Sequence, residues 1–588
     1  MGVFKLFPSI TNKYKNNVVF TLGTIKDSAQ AKINLLQELH LDANCLLHPV
    51  CMKVYAENKS MLKTNRIKLE FMMVTSVIEY IEMLISLVNP TELVNIVIDG
   101  VAPFAKNHQQ HSRRYKSVYD SMRMQGFAKK YEVSYNKPWN NSAITPGTPF
   151  MHHITDRILN YLMMKQEQNK DSLAKVKYMF SSAYTPDEGE HKILQYIRNN
   201  RLTPKTRAIY GLDADLIYLS MASNVENIFL MREMTEFQTI SSPDGFCFLS
   251  IDNLKQGIYE DLTNDLVQVD QTEYPNLIQH KNAIIQDYIF FGFMIGNDFM
   301  PHLPSVNLRF NKKHCGLNLL TEAYKYSFLS LNQDLDQDYV FLTNNDTQFR
   351  INYAFLKEML VFLVASEESY FSETFRFKRK TIVHPKTFDE EVKSYEMLTF
   401  YVRDLFRLGN RATPHTESKR LFYEYYSMQD TNAVCEEYIK GLLWNGNYYF
   451  NECQDYLWHY PYDKSPFVSD LIEWILGNQD RFEEIMNIYP LTRSNRGTIS
   501  PLEQLMLVLP VQSAYLLPRG TKHVMLQHPL IFPTKFDIDL QDVGKMWQAK
   551  PKIPTPNVPV IKQLLSTISL TKEDEQRNVH RENYHITI

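Results

Sequence analysis

Through its first 310 residues the chain repeats one rhythm: a short apolar run ends in an acidic or glycine-bearing turn and gives way to helical periodicity. This alternation predicts an α/β fold, a mostly parallel twisted sheet flanked by helices. The apolar runs predict strands at 38–41, 94–98, Lys177–Ser181, Arg207–Tyr210 and 228–231, and apolar stripes predict helices at Arg66–Val88 and 150–166. Ligands of open parallel sheets sit in the crevice beyond the carboxyl ends of the strands. Asp42, Asp99, Glu188 and Asp213 fall at or just beyond such ends, so sequence order alone predicts carboxylates gathered in one crevice.

The rest of the chain narrows the class. With 588 residues, 44% of them apolar and 22% charged, the chain can bury enough surface to fold and is too long for one small binding module. The 63 basic residues nearly balance 66 acidic ones, so nucleic-acid contact must come from local clustering. Six cysteines without a CxxC pair favour a reducing compartment and disfavour structural zinc. The start, MGVFKLFPSITNKYK, lacks a signal-peptide core and has Leu6 where myristoylation wants Ser or Thr, and the apolar stretch at 288–296 is too short to span a bilayer. Neither secretion, acylation nor a membrane span is expected. Near Lys380, after the basic run RFKRK, the texture becomes helical and aromatic-rich, which predicts a first unit over 1–380 and a mainly helical annex over 381–550. Residues 551–588 read as an extended arm and mobile tail.

The chemistry sits in HLDANCLLH, VIDGVAP, DEGEHK, GLDADL and IGNDFMPHLP. A single acid after a strand is ordinarily a helix cap or turn residue. Asp42, Asp99, Glu188, Glu190, Asp213, Asp215 and Asp298 in one crevice could not all stay ionised unless cations neutralised them. All-oxygen ligation suits Mg²⁺ or Mn²⁺, and two such ions about 3.5–4 Å apart can drive in-line phosphodiester hydrolysis. His191 and His302 lie nearby in sequence and read as core or supporting groups. No P-loop, GxGxxG or GxSxG pattern is present, which leaves motor, dehydrogenase and serine-hydrolase chemistry without support. Just after Asp99, Lys106, Gln110, Arg113, Arg114 and Lys116 recur about once per helical turn, a candidate pocket for a terminal phosphate or else a solvated basic face.

Together, MGVFKLF, LDANCLLHP, DGVAPFAKNHQQHSRR, ITPGTPFM, PDEGEHKI, YGLDADLIYLS, FLMRE and GNDFMPHLPS resemble, in order and spacing, the Xrn-type 5′→3′ exoribonucleases, and the likeness runs more weakly to about Ala549. The resemblance implies a PIN/FEN-like nuclease core that uses divalent metal, with the seven acids as metal ligands and catalytic groups. It implies processive degradation of single-stranded RNA bearing a 5′-monophosphate to mononucleotides, with Lys106, Gln110, Arg113 and Arg114 on that phosphate and His48 stacking on the terminal base. The stacking partner falls on Tyr456, with Trp458 two residues on. Three departures stand out: Phe104 where the family often has Arg, Asp187 where it often has Gly, and Tyr456 in place of tryptophan. The chain lacks the long carboxyl-terminal extension of larger members, so docking to decapping factors through such a tail is not expected. A cytoplasmic monomer is expected, with RFKRK as a candidate nuclear signal. The alternatives are a structure-specific 5′ nuclease acting on DNA flaps and a non-catalytic RNA-binding scaffold.

Overall fold

The computed structural model describes residues 13–14, 18–22, 36–168, 176–234, 244–267, 276–306, 315–333, 338–377, 382–400, 407–408, 411–412, 415–488, 498–541 and 543–586. Its centre is an eight-stranded sheet: β1 (Val19–Phe20), β2 (Glu38–Asp42), β3 (Leu93–Val97), β4 (Lys177–Ser181), β5 (Arg207–Tyr210), β6 (Ile228–Glu233), β7 (Phe246–Ser250) and β8 (Tyr584–Ile586). Their spatial order is β1-β7-β6-β5-β2-β3-β4-β8. The five central strands, β6 to β4, run parallel, with Leu41 of β2 facing Ile96 on one side and Tyr210 on the other, while β1, β7 and β8 pair antiparallel at the flanks. The chain moves outward from β2 through β3 to β4, then returns to place β5 on the other side of β2. That reversal makes β2 and β5 the topological switch point, where parallel sheets open a ligand crevice.

The five predicted strands all form, shifted by a residue or two at their ends, and the predicted helices form at Arg66–Val88 and Pro149–Gln168. Burial on both faces explains the near-continuous apolar runs. Ile209, Leu230 and Leu249 enter one core, whereas Ala208, Tyr210, Met231 and Phe248 enter another, as the two-residue period of a strand requires.

The helices that matter here are α1 (Ala43–Glu57), α2 (Arg66–Val88), α3 (Phe104–Lys130), α4 (Pro149–Gln168), α5 (Gly189–Asn199), α6 (Asp215–Ala222), α7 (Ile251–Val267), α8 (Lys281–Gly292), α9 (Gly316–Leu331), α10 (Tyr353–Phe377), α11 (Thr431–Phe450), α12 (Val468–Gly477), α13 (Pro501–Val508) and α14 (Val558–Ser566). Helices α5 to α12 share the first core; α1, α2, α4, α13 and α14 share the second. The later, mainly helical part of the chain thus completes both faces of the sheet. The boundary expected near Lys380 lies outside the described residues.

One expectation needs correction. Residues 551–588 are not simply an arm and tail: Val558, Ile561, Leu564 and Leu565 are buried at helical spacing along α14, and β8 extends the sheet by pairing Tyr584 with Phe180. Arg577, between them, is buried on Asp574 and on the carbonyls of Gly147 and Leu516. Beside the short run at 288–296, α2 is long and apolar enough by composition to cross a membrane. Core helices meet the same criterion, and Leu69, Met73, Val77, Ile81 and Leu84 of α2 are buried in the second core.

Candidate active site

Asp42 ends β2 and caps α1, accepting a hydrogen bond from the Asn44 amide at 3.2 Å. Asn44 then reaches across to β3: its side-chain amide donates to Asp99 Oδ2 at 2.5 Å, and its Oδ1 accepts from the Asp99 amide at 3.2 Å. Asp99 Oδ1 accepts from the Gly189 amide at the start of α5, at 2.7 Å. A Cβ on Gly189 would lie 3.1 Å from both Asp42 Oδ1 and Asp99 Oδ1, so the two carboxylates converge on a spot only glycine leaves clear. Gly100 is constrained more severely, since a Cβ there would sit 1.7 Å from the Thr185 carbonyl oxygen.

The second half of the crevice gathers around Lys106. Its ammonium, one turn into α3, lies 2.5 Å from Glu188 Oε2 and 3.0 Å from Asp298 Oδ2. Glu188 Oε1 accepts from the Tyr448 hydroxyl at 3.0 Å. Burial opposes charge on Lys106, but Glu188, Asp298, Glu190 and Asp215 outweigh it and hold the ammonium protonated well beyond its usual range. The carboxyls are driven the other way. Burial, then repulsion from Asp99, pushes Asp42 up to about 8. Burial also lifts Glu188 to about 7 against the pull of Lys106, and burial with repulsion from Asp298 lifts Asp215 to about 7. Burial raises Asp99 and Glu190. Asp298 alone moves down, because Lys106 overcomes its burial. Asp213 stands exposed at the mouth, and its charge contributes to the upward shifts of Asp42, Asp99, Glu190 and Asp215. All seven predicted acids therefore share one electrostatic neighbourhood.

A divalent cation suits this set. The donors are oxygens, Glu190 Oε2 is buried with no hydrogen-bond partner, and burial together with mutual repulsion raises Asp42, Glu188 and Asp215 toward neutrality even with Lys106 beside them. Among the described residues no three His, Cys, Asp or Glu side chains already close around a single point. The geometry is thus a carboxylate-lined crevice rather than a preformed cage.

The basic cluster divides. Lys106 turns into the acids, while Arg114 donates to Thr145 Oγ1 at 2.8 Å and to Gln110 Oε1 at 3.4 Å, and its buried Nη1 has no partner. Burial and the neighbouring Arg113 lower Arg114 to about 10. His48 falls to about 4 through burial and the Arg114 and Arg113 charges, so it is neutral here. Arg113 and Arg114, with neutral His48 beside them, therefore form a positive spot bordered by Asp213, suited to an anion. Lys116 instead pairs with Asp120 at 2.5 Å along the helix.

Tyr456 is 8% exposed, and its hydroxyl donates to Asp187 Oδ2 at 3.2 Å. Trp458 stacks on Trp444, with ring centroids 5.0 Å apart. His191 stacks on Tyr448 at 3.7 Å, and burial holds it neutral, so it belongs to the wall. His302 uses Nδ1 on the Leu303 carbonyl, 2.9 Å away.

Sequence reasoning missed several supporting groups. Asn44, inside LDANC, ties β2 to β3. Tyr448 and Tyr449 of α11 line the acids from the helical part of the chain, and only the aromatic run YYF signals them. Lys192, inside DEGEHK, is buried, donates to the Ser182 and Thr185 carbonyls at 3.1 Å each, and is pushed by burial down to about 7. Asp187 takes a backbone φ of 94°, a left-handed conformation that favours glycine. Its carboxylate accepts from the Tyr448 hydroxyl at 2.8 Å, the Tyr456 hydroxyl and the Glu188 amide at 2.9 Å.

The family model for the XRN 5'-3' exonuclease N-terminus matches residues 1–234, and that for the Xrn1 helical domain matches 279–410 and 404–587. The chain belongs to the XRN 5′-3′ exonuclease family. Within this XRN family, it is 26% identical to the 5'-3' exoribonuclease 2 homolog of Drosophila melanogaster, covering 99% of this chain and 73% of that protein. It is 27% identical to 5'-3' exoribonuclease 1 of Homo sapiens over 99% of this chain but only 35% of that longer protein. The 5'-3' exoribonuclease 2 of Arabidopsis thaliana is 24% identical, with 92% of this chain and 63% of the relative covered.

Proposed function

We propose that the chain is a 5′→3′ exoribonuclease that removes mononucleotides processively from single-stranded RNA carrying a 5′-monophosphate. The observation that carries this reading is a juxtaposition: a seven-carboxylate crevice at the switch point, bordered by the positive spot of Arg113 and Arg114 on α3 and by neutral His48 on α1. The family names of the relatives support it.

Asp42, Asp99, Glu188, Glu190, Asp213, Asp215 and Asp298 would hold Mg²⁺ or Mn²⁺. When bound, one or two such ions supply water activation and stabilise charge on the phosphorus and leaving oxygen. The protein's own groups do the positioning. Arg114 and Arg113, with Gln110, take the terminal phosphate, and the unpartnered Nη1 of Arg114 gives it a waiting donor. Neutral His48 offers a flat face to the first base without adding charge. Tyr456, oriented by Asp187, is the candidate opposing ring. Lys106, charged and wedged between Glu188 and Asp298, keeps those two carboxylates at a set separation and brings positive charge to the scissile phosphate. A pocket closed around a monophosphate rejects capped or triphosphorylated ends by size and charge.

The test is a time course on 3′-labelled RNAs carrying 5′-monophosphate, hydroxyl or triphosphate ends, with single-stranded and flap DNA alongside. The expected result is Mg²⁺-dependent loss of the monophosphorylated RNA to mononucleotides, abolished by Asp213→Ala in a folded protein. Persistent digestion by Asp213→Ala, internal cutting, or preference for DNA flaps would overturn it.

A further inference from the structure

A second cavity, of about 250 Å³, lies where α3 meets the two-residue strand Lys550–Pro551. Lys464, Lys550 and Lys552 line it with Tyr425 and Tyr426 over a floor at Asp539, and Asp463 is the other acid on its wall. Both tyrosine hydroxyls lean on Asp539, at 3.3 Å and 2.9 Å, which fixes their rings; Asp539 itself is buried. The Lys552 ammonium rests 4.0 Å from the Tyr425 ring centre, and Lys464 rests 5.1 Å from that of Tyr426. Each ring face is thus held by a cation and half open to solvent.

This composition is the reverse of the catalytic crevice: lysines outnumber acids, aromatic faces are presented, and no concentration of carboxylates stands ready for a metal ion. The two sites are nevertheless close enough to feel each other's charge. Lys550 lies within electrostatic reach of Asp298 in the crevice and of Asp463, Lys464 and Asp539 in the cavity. His108, one turn beyond Phe104 on α3, meets Thr555 at 3.2 Å, which ties the segment after Lys552 to the helix that carries Arg113 and Arg114. The volume falls just below the roughly 300–1,000 Å³ usual for enclosed small-molecule pockets, and suits one unit of a strand that continues beyond the site.

We propose that this cavity is a subsite for one nucleotide of the incoming RNA strand, 3′ to the scissile bond, with the lysines on its flanking phosphates and a tyrosine ring under its base. The inference rests on the exoribonuclease reading. Stacking of a base on an aromatic ring outweighs an exposed cation–π contact, so an arriving base takes the ring face and frees the displaced ammonium for the adjoining phosphate. The grip is independent of base identity, as a strand fed through one unit at a time requires.

The test places Lys464→Gln, Lys550→Gln and Lys552→Gln together in the turnover-dead Asp213→Ala background and measures, by fluorescence anisotropy in Mg²⁺, the affinity of a 5′-monophosphorylated fifteen-residue oligoadenylate across a salt series. Each phosphate contact contributes roughly 0.7 to the slope of log K against log salt on a single strand. The triple variant is expected to lose roughly 2 of that slope and to bind about ten-fold more weakly at low salt, and the Lys→Arg triple to restore both. Unchanged slope and affinity, with folding verified by circular dichroism, would overturn the proposal. So would a triple variant that keeps strand affinity but loses the binding of added AMP that its Asp213→Ala parent shows, since the cavity would then hold the released product. Failure of the exoribonuclease reading registers separately, as a wild-type chain that leaves the same strand intact in Mg²⁺, and the slope still decides whether a strand fills the cavity.

Discussion

The parallel strands carry a buried polar cluster at each end, and the two are built on opposite terms. At the amino end, Glu38 opens β2 and is fully buried, yet Arg207 holds it at 3.0 Å, Lys205 at 2.8 Å and His40 at 3.3 Å, while Asn95 donates to the other nitrogen of His40. At the carboxyl end, the same strands lead to seven acids of one sign with Lys106 wedged among them, and Glu190 Oε2 has no partner. One cluster is neutralised within the fold and serves stability. The other keeps an electrostatic deficit that only a bound cation removes, which is how a site stores function at the expense of stability.

Removing one charge should therefore have opposite consequences at the two ends. Glu190→Gln takes away an acid that is already strained: turnover of 5′-monophosphorylated RNA should fall by roughly 10⁴-fold, while stability in chelator rises by about 1 kcal/mol. Gel assay and calorimetry on the same preparation check both halves. A variant that loses stability in chelator would erase the contrast.

Arg207→Leu is the counterpart. Arg207 is 1% exposed, and its loss leaves Glu38 buried with a weakened partner set, so the expected cost is about 3–5 kcal/mol in urea unfolding with turnover per folded molecule preserved. A loss of activity out of proportion to unfolding would mean that the two ends are coupled through β2 and β5.

Acid sharpens the same comparison. Burial raises the Glu38 carboxyl, but the bonds from His40 and Lys205 and the Arg207 charge prevail and hold it at about 2, against an ordinary 4.5. A lowered carboxyl contributes stability that is complete above its unfolded value and is lost as pH falls through the folded one. The amino-end cluster should thus give up about 3 kcal/mol between about pH 4.5 and pH 2, measured as the acid-unfolding midpoint, and Glu38→Gln should flatten that limb.

The carboxyl end was legible in the sequence because Asp42, Asp99, Glu188 and Asp213 fall at or just beyond the ends of apolar strands, and strand order turns that linear spacing into convergence. The basic turn spacing of α3 was legible for the same reason, although periodicity could not say that Lys106 leaves the phosphate face to enter the acids. The amino-end cluster was invisible: Glu38, His40 and Arg207 sit inside strands, where alternation marks burial and says nothing of which charges meet across strands. Tyr448 and Tyr449 were hidden likewise, since α11 reaches the crevice only through tertiary packing. The tail was misread because prolines at 551–559 signal an extended lead-in, and the four buried apolar residues of α14 are too few to announce a helix by themselves.

The smallest effect falls at Asp187, where the two kinds of construction meet in one residue. Its φ of 94° costs backbone strain of about 1 kcal/mol or more, and its carboxylate recovers part of that by receiving Tyr448, Tyr456 and the Glu188 amide. Asp187→Gly removes strain and tether together, so net stability should move by less than about 1 kcal/mol. The Tyr456 ring, no longer tied, should lose its set orientation, and KM for RNA should rise a few-fold with kcat nearly unchanged. Asp187→Asn keeps an acceptor and tolerates the left-handed backbone, so it should lie between the two. Were Asp187→Gly to lower kcat instead, Asp187 would be acting through Glu188 and the acids, and the tyrosine tether would be incidental to the reaction.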